Sequence, residues 1–381
     1  MQPPAFVFIA RHFGESEELH AWKAFAEKEG HPALSLCAAK GRHPHARVHM
    51  GGSLLGLRRR FRKSQAALPP HRFHIYFNGW GVDALASVDS AARRYAFFLE
   101  PVPYFERMVI HSLRFVQGVI VPSEAMKTYL RQKAGFIPER LITVLPPPWE
   151  AAAALSADGE TAADSPVVGF APRLEVRQKR AERLLPFRAA LPESTLPQLR
   201  YFGFGTNAHR LGRKIAQKNG FHQVTRTTFA ERMAEIDRWD VALWLSSYEG
   251  APQALGRTIV RGGLPLFPKP DDTPPPIPLH PACLYPAHEM EAAARSLLDL
   301  IALSPEKRRI IIQQNRAALA KIIAAEAAWE AFVEAEQARA PRPLPRKAAF
   351  GPLWPLRIYS TFLQFARTGQ FEFERPVVEI S

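Results

Sequence analysis

One segment of the sequence, residues 241–267, contains the side chains best suited to bind a ligand. It reads VALWLSSYEGAPQALGRTIVRGGLPLF, so an apolar run that predicts a strand is followed by polar residues and then by a predicted helix. Ligands of open parallel sheets bind at the carboxyl ends of strands, where free N–H groups at the start of a helix favour anions. The carboxylate of Glu249 lies at that junction and could accept hydrogen bonds from hydroxyl groups of a ligand. Its alternative role is a favourable interaction with the helix dipole.

Segments of alternating strand and helix character surround this junction and must position it. Short apolar runs predict strands at 5–9, 74–77, 95–99, 119–121, 141–145, 167–170, 199–203, 241–245 and 264–267. Amphipathic stretches predict helices at 17–29, 123–130, 180–190, after 207, at 253–261 and through most of 289–336. Strands separated by helices of about 10 to 15 residues form parallel sheets with right-handed crossovers. The sequence therefore predicts an α/β protein.

The stretch 151–165 interrupts this alternation, because it is rich in alanine and acidic residues and has no periodicity. We interpret it as part of an interdomain linker, 151–166. The predicted domains are then 1–150 and 167–339, two parallel-sheet domains that face a cleft. The remaining residues, 340–381, begin rich in proline and arginine and then become aromatic. This tail could pack back on the first domain or lie on a membrane.

The charge balance of the 381 residues is unusual, since 50 Lys and Arg against 36 Asp and Glu give a net charge of +14. An excess of this size points to a polyanionic partner, which could be nucleic acid, an anionic membrane surface or a phosphorylated substrate. Hydrophobic residues make up 47% of the chain, which excludes wholesale disorder. Cys37 and Cys283 are too few and too far apart to suggest disulfides or a thiolate zinc site.

No uncharged stretch reaches the roughly 18 residues of a membrane span, so we expect a cytoplasmic protein that is soluble or peripheral on the membrane. The candidate for a peripheral contact is the segment LLGLRRRFRKSQ. Its apolar residues share one face of a predicted helix with basic residues beside them; the set is Leu54, Leu57, Phe61, Arg58, Arg59, Arg60, Arg62 and Lys63. Such a helix could rest on anionic lipid. The alternative is an ordinary surface helix whose apolar face is in the core.

The segment that contains Glu249 also resembles the donor-binding signature of the retaining glycosyltransferases of family 4, which have the GT-B fold. The usual form of that signature is a strand, P-S-x-x-E-G-F-G, and a helix with E-A-x-A-x-G-x-P. The residues at or near matching places are Ser247, Glu249, Gly250, Gly263 and Pro265.

Further segments resemble the same family in the family's own order over most of the chain. Gly14 and the helix after it resemble a first glycine loop, and GVIVPSEAMKTYL resembles an S-E-x-x-x-x-x-L pattern. The run VVGFAPRLEVRQKRAERLL resembles V-G-R-L-x-x-x-K-G, with Arg173 and Lys179 as its basic pair and one extra residue between them. LRYFGFGTN, with Gly203 and Gly205, resembles a strand and loop of the form L-x-x-x-G-x-G.

The resemblance implies two Rossmann-like domains around a cleft, and transfer of a sugar, with retention, from a nucleotide-diphosphate donor to a hydroxyl of a glycan or lipid-linked acceptor. The donor would lie mostly on the second domain, with Arg173 and Lys179 on its diphosphate and close backbone approach at Gly203 and Gly205. Arg173 and Lys179 could alternatively be solvated loop and helix-cap charges. No cofactor is expected. Since no D-x-D motif suits a metal-bound diphosphate, no metal is predicted either.

Two positions depart from the family pattern. Arg257 stands eight residues after Glu249, where a second glutamate would hold the nucleotide ribose. A guanidinium cannot accept hydrogen bonds from ribose hydroxyls, although it could bind a phosphate or pair with Glu249. A strand end that usually carries a histidine carries Glu100, which could position an acceptor hydroxyl, take its proton, or be a structural cap. Asn78 and Gly79 follow the preceding strand and should also face the cleft.

Three functional classes follow from these features. The first is an active glycosyltransferase whose partners are a nucleotide sugar, a glycan or glycolipid acceptor and an anionic membrane surface. The second, motivated by Arg257, is a glycosyltransferase-like chain that has lost turnover and acts as a binding or scaffold protein. The third, nucleic-acid binding, rests on charge alone, because no zinc-finger spacing, RNP motif or basic-region heptad is present. We therefore expect no nucleic-acid partner.

Overall fold

The structure is a computed structural model in which two parallel sheets are flanked by helices. The residues that it describes are 3–10, 14–37, 48–49, 59, 61–63, 66, 68–77, 82–85, 92–98, 115–133, 137–148, 166–176, 178–192, 199–203, 207–225, 229–247, 249, 252–269, 275–322 and 325–339. The predicted linker at 151–165 and the tail at 340–381 lie outside these ranges.

Seven strands form the first sheet: β1 (Ala5–Ala10), β2 (Ala33–Cys37), β3 (Val48–His49), β4 (Arg72–Phe77), β5 (Arg93–Phe97), β6 (Gly118–Val121) and β7 (Ile142–Val144). They are parallel and lie in the order β3-β2-β1-β4-β5-β6-β7. The described helices whose two ends are defined in this part of the chain are α1 (Gly14–Lys28), α2 (Val82–Leu85), α3 (Glu124–Lys133) and a 3-10 helix at Glu139–Leu141; residues 59 and 61–63 are also helical.

Strand β1 illustrates how the sequence buries this sheet on both faces. Val7 and Ile9 belong to one apolar cluster, whereas Phe6 and Phe8 belong to another. Successive residues of a strand point to opposite faces, so an unbroken apolar run is the pattern of a strand that is covered twice. The parallel pairing of β1 with β2 and β4 confirms the α/β architecture predicted for this half of the chain.

Six strands form the second sheet: β8 (Val168–Phe170), β9 (Leu199–Phe202), β10 (Phe221–Val224), β11 (Val241–Leu243), β12 (Leu264–Lys269) and β13 (Leu284–Pro286). They are parallel and lie in the order β10-β9-β8-β11-β12-β13. The helices are α4 (Leu184–Ala189), α5 (Ala208–Ala216), α6 (Phe229–Ile236), α7 (Gln253–Val260), α8 (Met290–Ile301), α9 (Pro305–Ile322) and α10 (Ala325–Ala338). Two 3-10 helices occur at Ala181–Arg183 and Pro281–Cys283.

The last helix, α10, follows the second sheet in sequence but packs on the first sheet. Its Trp329 is fully buried, with ring centroids 4.5 Å from Phe6 and 5.5 Å from Trp22. At the other end of the helix, the Glu336 carboxylate accepts a hydrogen bond from the Tyr95 hydroxyl group. The domain boundary predicted at 339 therefore differs from the packing, which groups α10 with the first sheet.

The basic segment around residue 60 is anchored in the first domain by its aromatic residue. Phe61 is fully buried, and its ring lies edge-on to the His74 ring with a centroid separation of 5.4 Å. This corrects the prediction that Phe61 faces lipid, and it agrees with the alternative of a surface helix with an apolar face in the core. Arg59 and Arg62 are exposed, whereas Leu54, Leu57 and Arg58 lie outside the described residues. In the described part of the chain, no helix is long and apolar enough to cross a membrane.

Candidate functional site

The strand order of the second sheet reverses between β8 and β11. Strands β9 and β10 extend the sheet on the β8 side, and β12 and β13 extend it on the β11 side. Connections that leave in opposite directions open a crevice at the carboxyl ends of the two central strands. Residues 171–180 follow β8, and residues 244–249 follow β11. These two segments are therefore placed to line the crevice.

Lys179 and Glu249 form an ion pair across this switch point. Lys179 Nζ lies 2.7 Å from Glu249 Oε2, and the Ser246 hydroxyl donates a hydrogen bond of 2.6 Å to Glu249 Oε1. The Lys179 and Glu249 side chains are only 14% and 4% exposed. A charge-assisted contact of this kind, in a partly buried place, holds both groups in a defined position. The structure thus brings together two residues that the sequence suggests from separate segments.

The loop after β8, from which Lys179 projects, is shaped by polar side chains. The Glu175 carboxylate accepts hydrogen bonds from the backbone N–H groups of Gln178 and Lys179, at 2.8 and 3.0 Å. Asn207, which precedes α5, accepts a hydrogen bond of 3.1 Å from the Val176 N–H group. Because these contacts satisfy backbone donors without regular secondary structure, they fix the loop in one conformation.

The segment after β11 is bound to the same loop. The Ser247 N–H group donates to the Gln178 carbonyl at 2.9 Å, and Arg180 Nε donates to the Ser247 hydroxyl oxygen at 2.8 Å. Tyr285 on β13 donates its hydroxyl hydrogen bond to the Trp244 carbonyl at 2.7 Å. Burial raises the pKa of this phenol, so it remains a neutral donor. The sequence suggests Ser247 for this site but does not suggest that Arg180 is its partner.

Closely spaced cations follow β8. Arg173 is partly buried, Arg180 precedes the 3-10 helix Ala181–Arg183, and Arg183 is the last residue of that helix. The guanidinium of Arg183 contacts the Nδ1 atom of His288. Burial lowers the pKa of Arg183, and the positive charge of Arg180 lowers it further. Together with Lys179, these side chains concentrate positive charge at the crevice, which suits an anionic ligand.

Arg257, on α7, binds a different carboxylate from the one considered in the sequence analysis. Its Nε and NH2 atoms each donate a hydrogen bond of 2.6 Å to Asp237, just after α6. Glu249 is instead bound by Lys179 and Ser246. The carboxylate that the structure pairs with Arg257 is thus that of Asp237, whereas pairing with Glu249 was one of two alternatives suggested by the sequence. The guanidinium links the end of one helix to the next through a bidentate contact.

Of the glycines predicted to allow close approach of a ligand, Gly203 is the one whose surroundings the structure describes. At Gly203, after β9, an added β-carbon would lie 2.3 Å from Nε2 of Gln223, so the side chain of β10 already occupies that space. Gln223 is itself held by the Tyr201 hydroxyl, which donates to its Oε1 atom at 3.2 Å. Gly205 and Gly250 lie outside the described residues.

The first sheet has its own switch point, between β1 and β4. Gly14, the first residue of α1, comes soon after β1 in the chain, and Asn78 and Gly79 come directly after β4. The predicted acceptor-side residues thus belong to the two connections that begin at this switch point. Asn78, Gly79 and Glu100 lie outside the described residues, so their side chains remain predictions.

Among the described residues, the structure shows neither a metal-binding cluster nor a reactive thiol. Within the described ranges, no group of three or more His, Cys, Asp or Glu side chains is arranged to hold a metal ion. Cys283 is buried, and burial raises the pKa of its thiol to about 11. The Asn315 amide donates to its sulfur at 3.4 Å. This thiol is therefore a structural group.

Three residues of the site escape the sequence reasoning. Ser246 orients Glu249, Arg180 binds Ser247, and Asp237 binds Arg257. A signal existed only for Arg180, because the V-G-R-L-x-x-x-K-G pattern has a glycine where this sequence has an arginine. The partners Ser246 and Asp237 depend on side-chain packing that has no signature in the sequence.

No protein-family model and no curated protein matches the sequence. Solved structures do match the fold. A glycosyltransferase from Rickettsia africae superposes with a TM-score of 0.67 at 10% identity, over 88% of this chain and 98% of that one. Sucrose-phosphate synthase from Thermosynechococcus elongatus gives a TM-score of 0.65 at 13% identity, with 87% and 98% of the two chains covered.

TarM from S. aureus, solved in complex with fondaparinux, alpha-GlcNAc-glycerol and UDP, superposes with a TM-score of 0.57 at 13% identity over 74% of this chain. This chain spans 58% of the length of TarM. These matches agree with the two parallel sheets and their separate switch points. The chain therefore has the fold of the GT-B glycosyltransferases, with two Rossmann-like domains.

Proposed function

We propose that this protein transfers a sugar from a nucleotide-diphosphate donor to a hydroxyl group of a glycan or lipid-linked acceptor. The observation that carries the proposal is the Lys179–Glu249 ion pair across the switch point of the second sheet. In the reaction, the bond between the anomeric carbon and the diphosphate breaks, and a bond from that carbon to the acceptor oxygen forms. The acceptor proton leaves to the diphosphate or to a base.

The cations after β8 suit the departing diphosphate, whose negative charge grows as the glycosidic bond breaks. Lys179 supplies an ammonium group on a loop fixed by Glu175, and Arg173 follows β8 on the same loop. A donor diphosphate would replace the Glu249 carboxylate as the partner of Lys179. We propose that these cations serve without a metal ion.

Glu249 suits recognition of the transferred sugar. Its carboxylate is held by Ser246 and would remain positioned after Lys179 turns to the diphosphate. A carboxylate accepts hydrogen bonds from sugar hydroxyls and favours positive charge that develops at the anomeric carbon. We propose retention of configuration, so that the new bond forms on the face from which the diphosphate departs. The family resemblance supports this assignment, as do UDP and alpha-GlcNAc-glycerol, which are bound in the TarM complex.

Acceptor binding is assigned to the first domain, where Gly14, Asn78 and Gly79 belong to connections from the switch point. One matched structure is a lipopolysaccharide outer core galactosyltransferase, WaaB, which supports a glycolipid acceptor. The exposed cations of Arg59, Arg62 and Lys63 would favour a peripheral contact with an anionic membrane on the cytoplasmic side. A lipid-linked acceptor would then meet the donor near the membrane surface.

An assay of nucleoside-diphosphate release tests the proposal directly. The full chain is incubated with UDP-, GDP- and ADP-sugars, with and without candidate glycan and glycolipid acceptors. We expect release with one donor series, and stabilisation by the matching nucleoside diphosphate in a thermal melt. If every donor stays intact and no nucleoside diphosphate raises the melting temperature, the proposal fails.

Two variants separate the roles of the ion pair. Lys179→Met should weaken nucleoside-diphosphate binding at least 10-fold, because it removes the cation. Glu249→Gln keeps the shape of the side chain and releases Lys179, so it should retain nucleoside-diphosphate binding but lose sugar transfer. Lys127→Met on α3, which removes an ion pair with Glu139 in the first domain, is the matched control and should leave both properties unchanged. Equal transfer by Glu249→Gln and wild type would remove Glu249 from the site.

A chain that binds donor without turnover is the second candidate, and the bidentate Arg257–Asp237 contact favours it. Arg257 is committed to a carboxylate of the protein, at a position where the family pattern has a ribose-binding glutamate. This second function would be favoured if a nucleotide raised the melting temperature strongly while the donor stayed intact with every acceptor tried.

A further inference from the structure

Arg180 has a backbone conformation that suits glycine better than arginine. Its φ and ψ angles are 49° and 37°, in the left-handed region, where a β-carbon is crowded by the backbone. The chain thus tolerates a conformational cost at the residue next to Lys179. Strained residues of this kind persist only where the surrounding contacts stabilise them, and they concentrate at functional sites.

The strained backbone carries the Arg180 side chain into the crevice of the second sheet. Its Nε atom lies 2.8 Å from the Ser247 hydroxyl oxygen, while the adjacent Lys179 reaches Glu249 two residues further along the same segment. The ammonium group of Lys179 and the guanidinium group of Arg180 thus both contact the short segment that follows β11. Ser247 orients the guanidinium but, as a neutral group, does not balance its charge.

Among the described residues, the carboxylates near Arg180 compensate its charge only weakly. Its ion pair with Glu182 is long, 3.9 Å, and both side chains are 38% exposed, so solvent screens that contact. Glu249 is engaged by Lys179 at 2.7 Å. A second cation, Arg183, is close enough to Arg180 for the charge of Arg180 to lower its pKa. Like charges held together in this way favour binding of an anion.

We propose that Arg180 binds a second anionic group of the ligand whose first anionic group binds Lys179. The inference rests on the proposed function and deepens it, because it adds a residue that selects the charge of the donor. Two sources share the required chemistry: the second phosphate of the diphosphate, or a carboxylate on the transferred sugar. Arg180 would donate hydrogen bonds to either while Ser247 holds its Nε atom.

Calorimetric titration of the full chain tests the inference with three kinds of probe. These are inorganic pyrophosphate, the nucleoside diphosphates of uridine, guanosine and adenosine, and the corresponding nucleotide derivatives of a neutral hexose and of a hexuronic acid. Arg180→Gln removes the charge and retains an amide that can bind Ser247. Like arginine, glutamine disfavours the left-handed backbone conformation, so the variant leaves the strain unchanged. Arg131→Gln on α3, which removes an ion pair with Glu139, is the matched control.

We expect Arg180→Gln to weaken binding about 10-fold or more, and Arg131→Gln to leave it unchanged. Weaker binding of pyrophosphate and of nucleoside diphosphate identifies the phosphate as the group bound. A loss confined to the hexuronic acid derivative identifies the sugar carboxylate. Equal affinity of wild type and Arg180→Gln for every probe overturns the inference.

A second variant separates binding from structure. Arg180→Gly relieves the left-handed strain, so it should raise the melting temperature by roughly 2 to 4 °C while it weakens binding. Weaker binding together with a lower melting temperature in both variants would assign Arg180 a structural role and overturn the inference.

The proposed function can fail separately from this inference. If wild type binds pyrophosphate in an Arg180-dependent way but binds no nucleotide, the anion site stands and the glycosyltransferase proposal falls. If wild type binds none of the probes, both are overturned.

Discussion

His74 is a titratable residue in the centre of the first sheet. Burial lowers its pKa to about 3, and the nearby positive charges of Arg94 and Arg72 act in the same direction. The unfolded chain, with an ordinary histidine pKa of about 6.5, binds a proton more readily than the folded chain. His74 therefore costs no stability above about pH 6.5, and the free energy of unfolding falls as the pH decreases from about 6.5 towards 3.

A His74→Gln variant should lose this part of the pH dependence, because glutamine does not titrate. Between pH 8 and pH 5, wild type should lose about 2 kcal/mol more of its unfolding free energy than the variant. Urea unfolding of both proteins at several pH values measures the difference. Parallel pH curves for the two proteins would contradict the assignment.

Individual residues differ in how far the sequence predicts them. Glu249 and Lys179 can be identified because each lies in a segment with a strand, a turn and a helix in a recognisable order. Their mutual contact could not be predicted, since it spans 70 positions and depends on the pairing of β8 with β11. Asp237 has no signature of its own, because its role is created by the packing of α6 beside α7.

At the scale of elements, the Arg257–Asp237 contact fastens α7 to the end of α6. Both side chains are 21% exposed, so the pair is partly shielded from water. Arg261, one turn further along, approaches the same carboxylate at 3.5 Å. Helix α7 begins just after the segment that carries Glu249. The Arg257–Asp237 contact therefore anchors the helix that follows this segment.

A double-mutant cycle should detect this helix contact. Asp237→Ala and Arg257→Ala should show a coupling energy of about 1 to 3 kcal/mol, as expected for a partly buried bidentate pair. Arg257→Glu should be more destabilising than Arg257→Ala, because it places two carboxylates together. The exchange Asp237→Arg with Arg257→Glu should recover part of that loss. Urea unfolding measures the two alanine variants, their double mutant, Arg257→Glu and the exchanged pair, and a coupling energy near zero would refute the link.

Elements were predictable where apolar periodicity is strong. The buried strands β1, β8 and β11 read as unbroken apolar runs. Strand β10 was missed because it is an edge strand whose FHQV sequence includes the exposed residues His222 and Gln223. Strand β12 extends through Pro268, past the residues that pair with β11, and pairs there only with β13, whereas the sequence predicts that this strand ends at 267. Edge positions tolerate polar residues and proline, which conceals such strands from pattern analysis.

At the scale of the whole molecule, Trp329 is the main anchor of α10 on the first sheet. It is fully buried among Phe6, Trp22 and Phe25. Trp329→Ala should destabilise the first domain by about 3 to 5 kcal/mol, because it leaves a large cavity in an aromatic cluster. Ile310→Ala on α9, where the side chain is 46% exposed, is the control and should have little effect.

Hydrogen exchange locates the effect of this variant. The amides of β1 and β4 should exchange faster in Trp329→Ala, while those of β8 and β11 should keep their protection. Equal loss of protection in both sheets would contradict the assignment of α10 to the first domain.

The two parallel sheets were predictable from the alternation of strands and helices, but the destination of α10 was not. An amphipathic helix has the same apolar pattern whichever sheet it covers. The polar contacts that select the first sheet, from Tyr95 and Arg93 to Glu336, join residues more than 200 positions apart. Only the three-dimensional arrangement reveals that partnership.

The position of α10 also determines the order in which the chain can fold during synthesis. Strands β1 to β7 leave the ribosome first, yet one face of their sheet is completed by Trp329 and Phe332. The 180 residues 145–324 separate β7 from that helix, which corresponds to roughly 10 to 40 s of translation. During this interval the aromatic surface around Phe6 and Trp22 lacks its final cover. The nascent first domain is therefore a candidate for chaperone protection until α10 emerges.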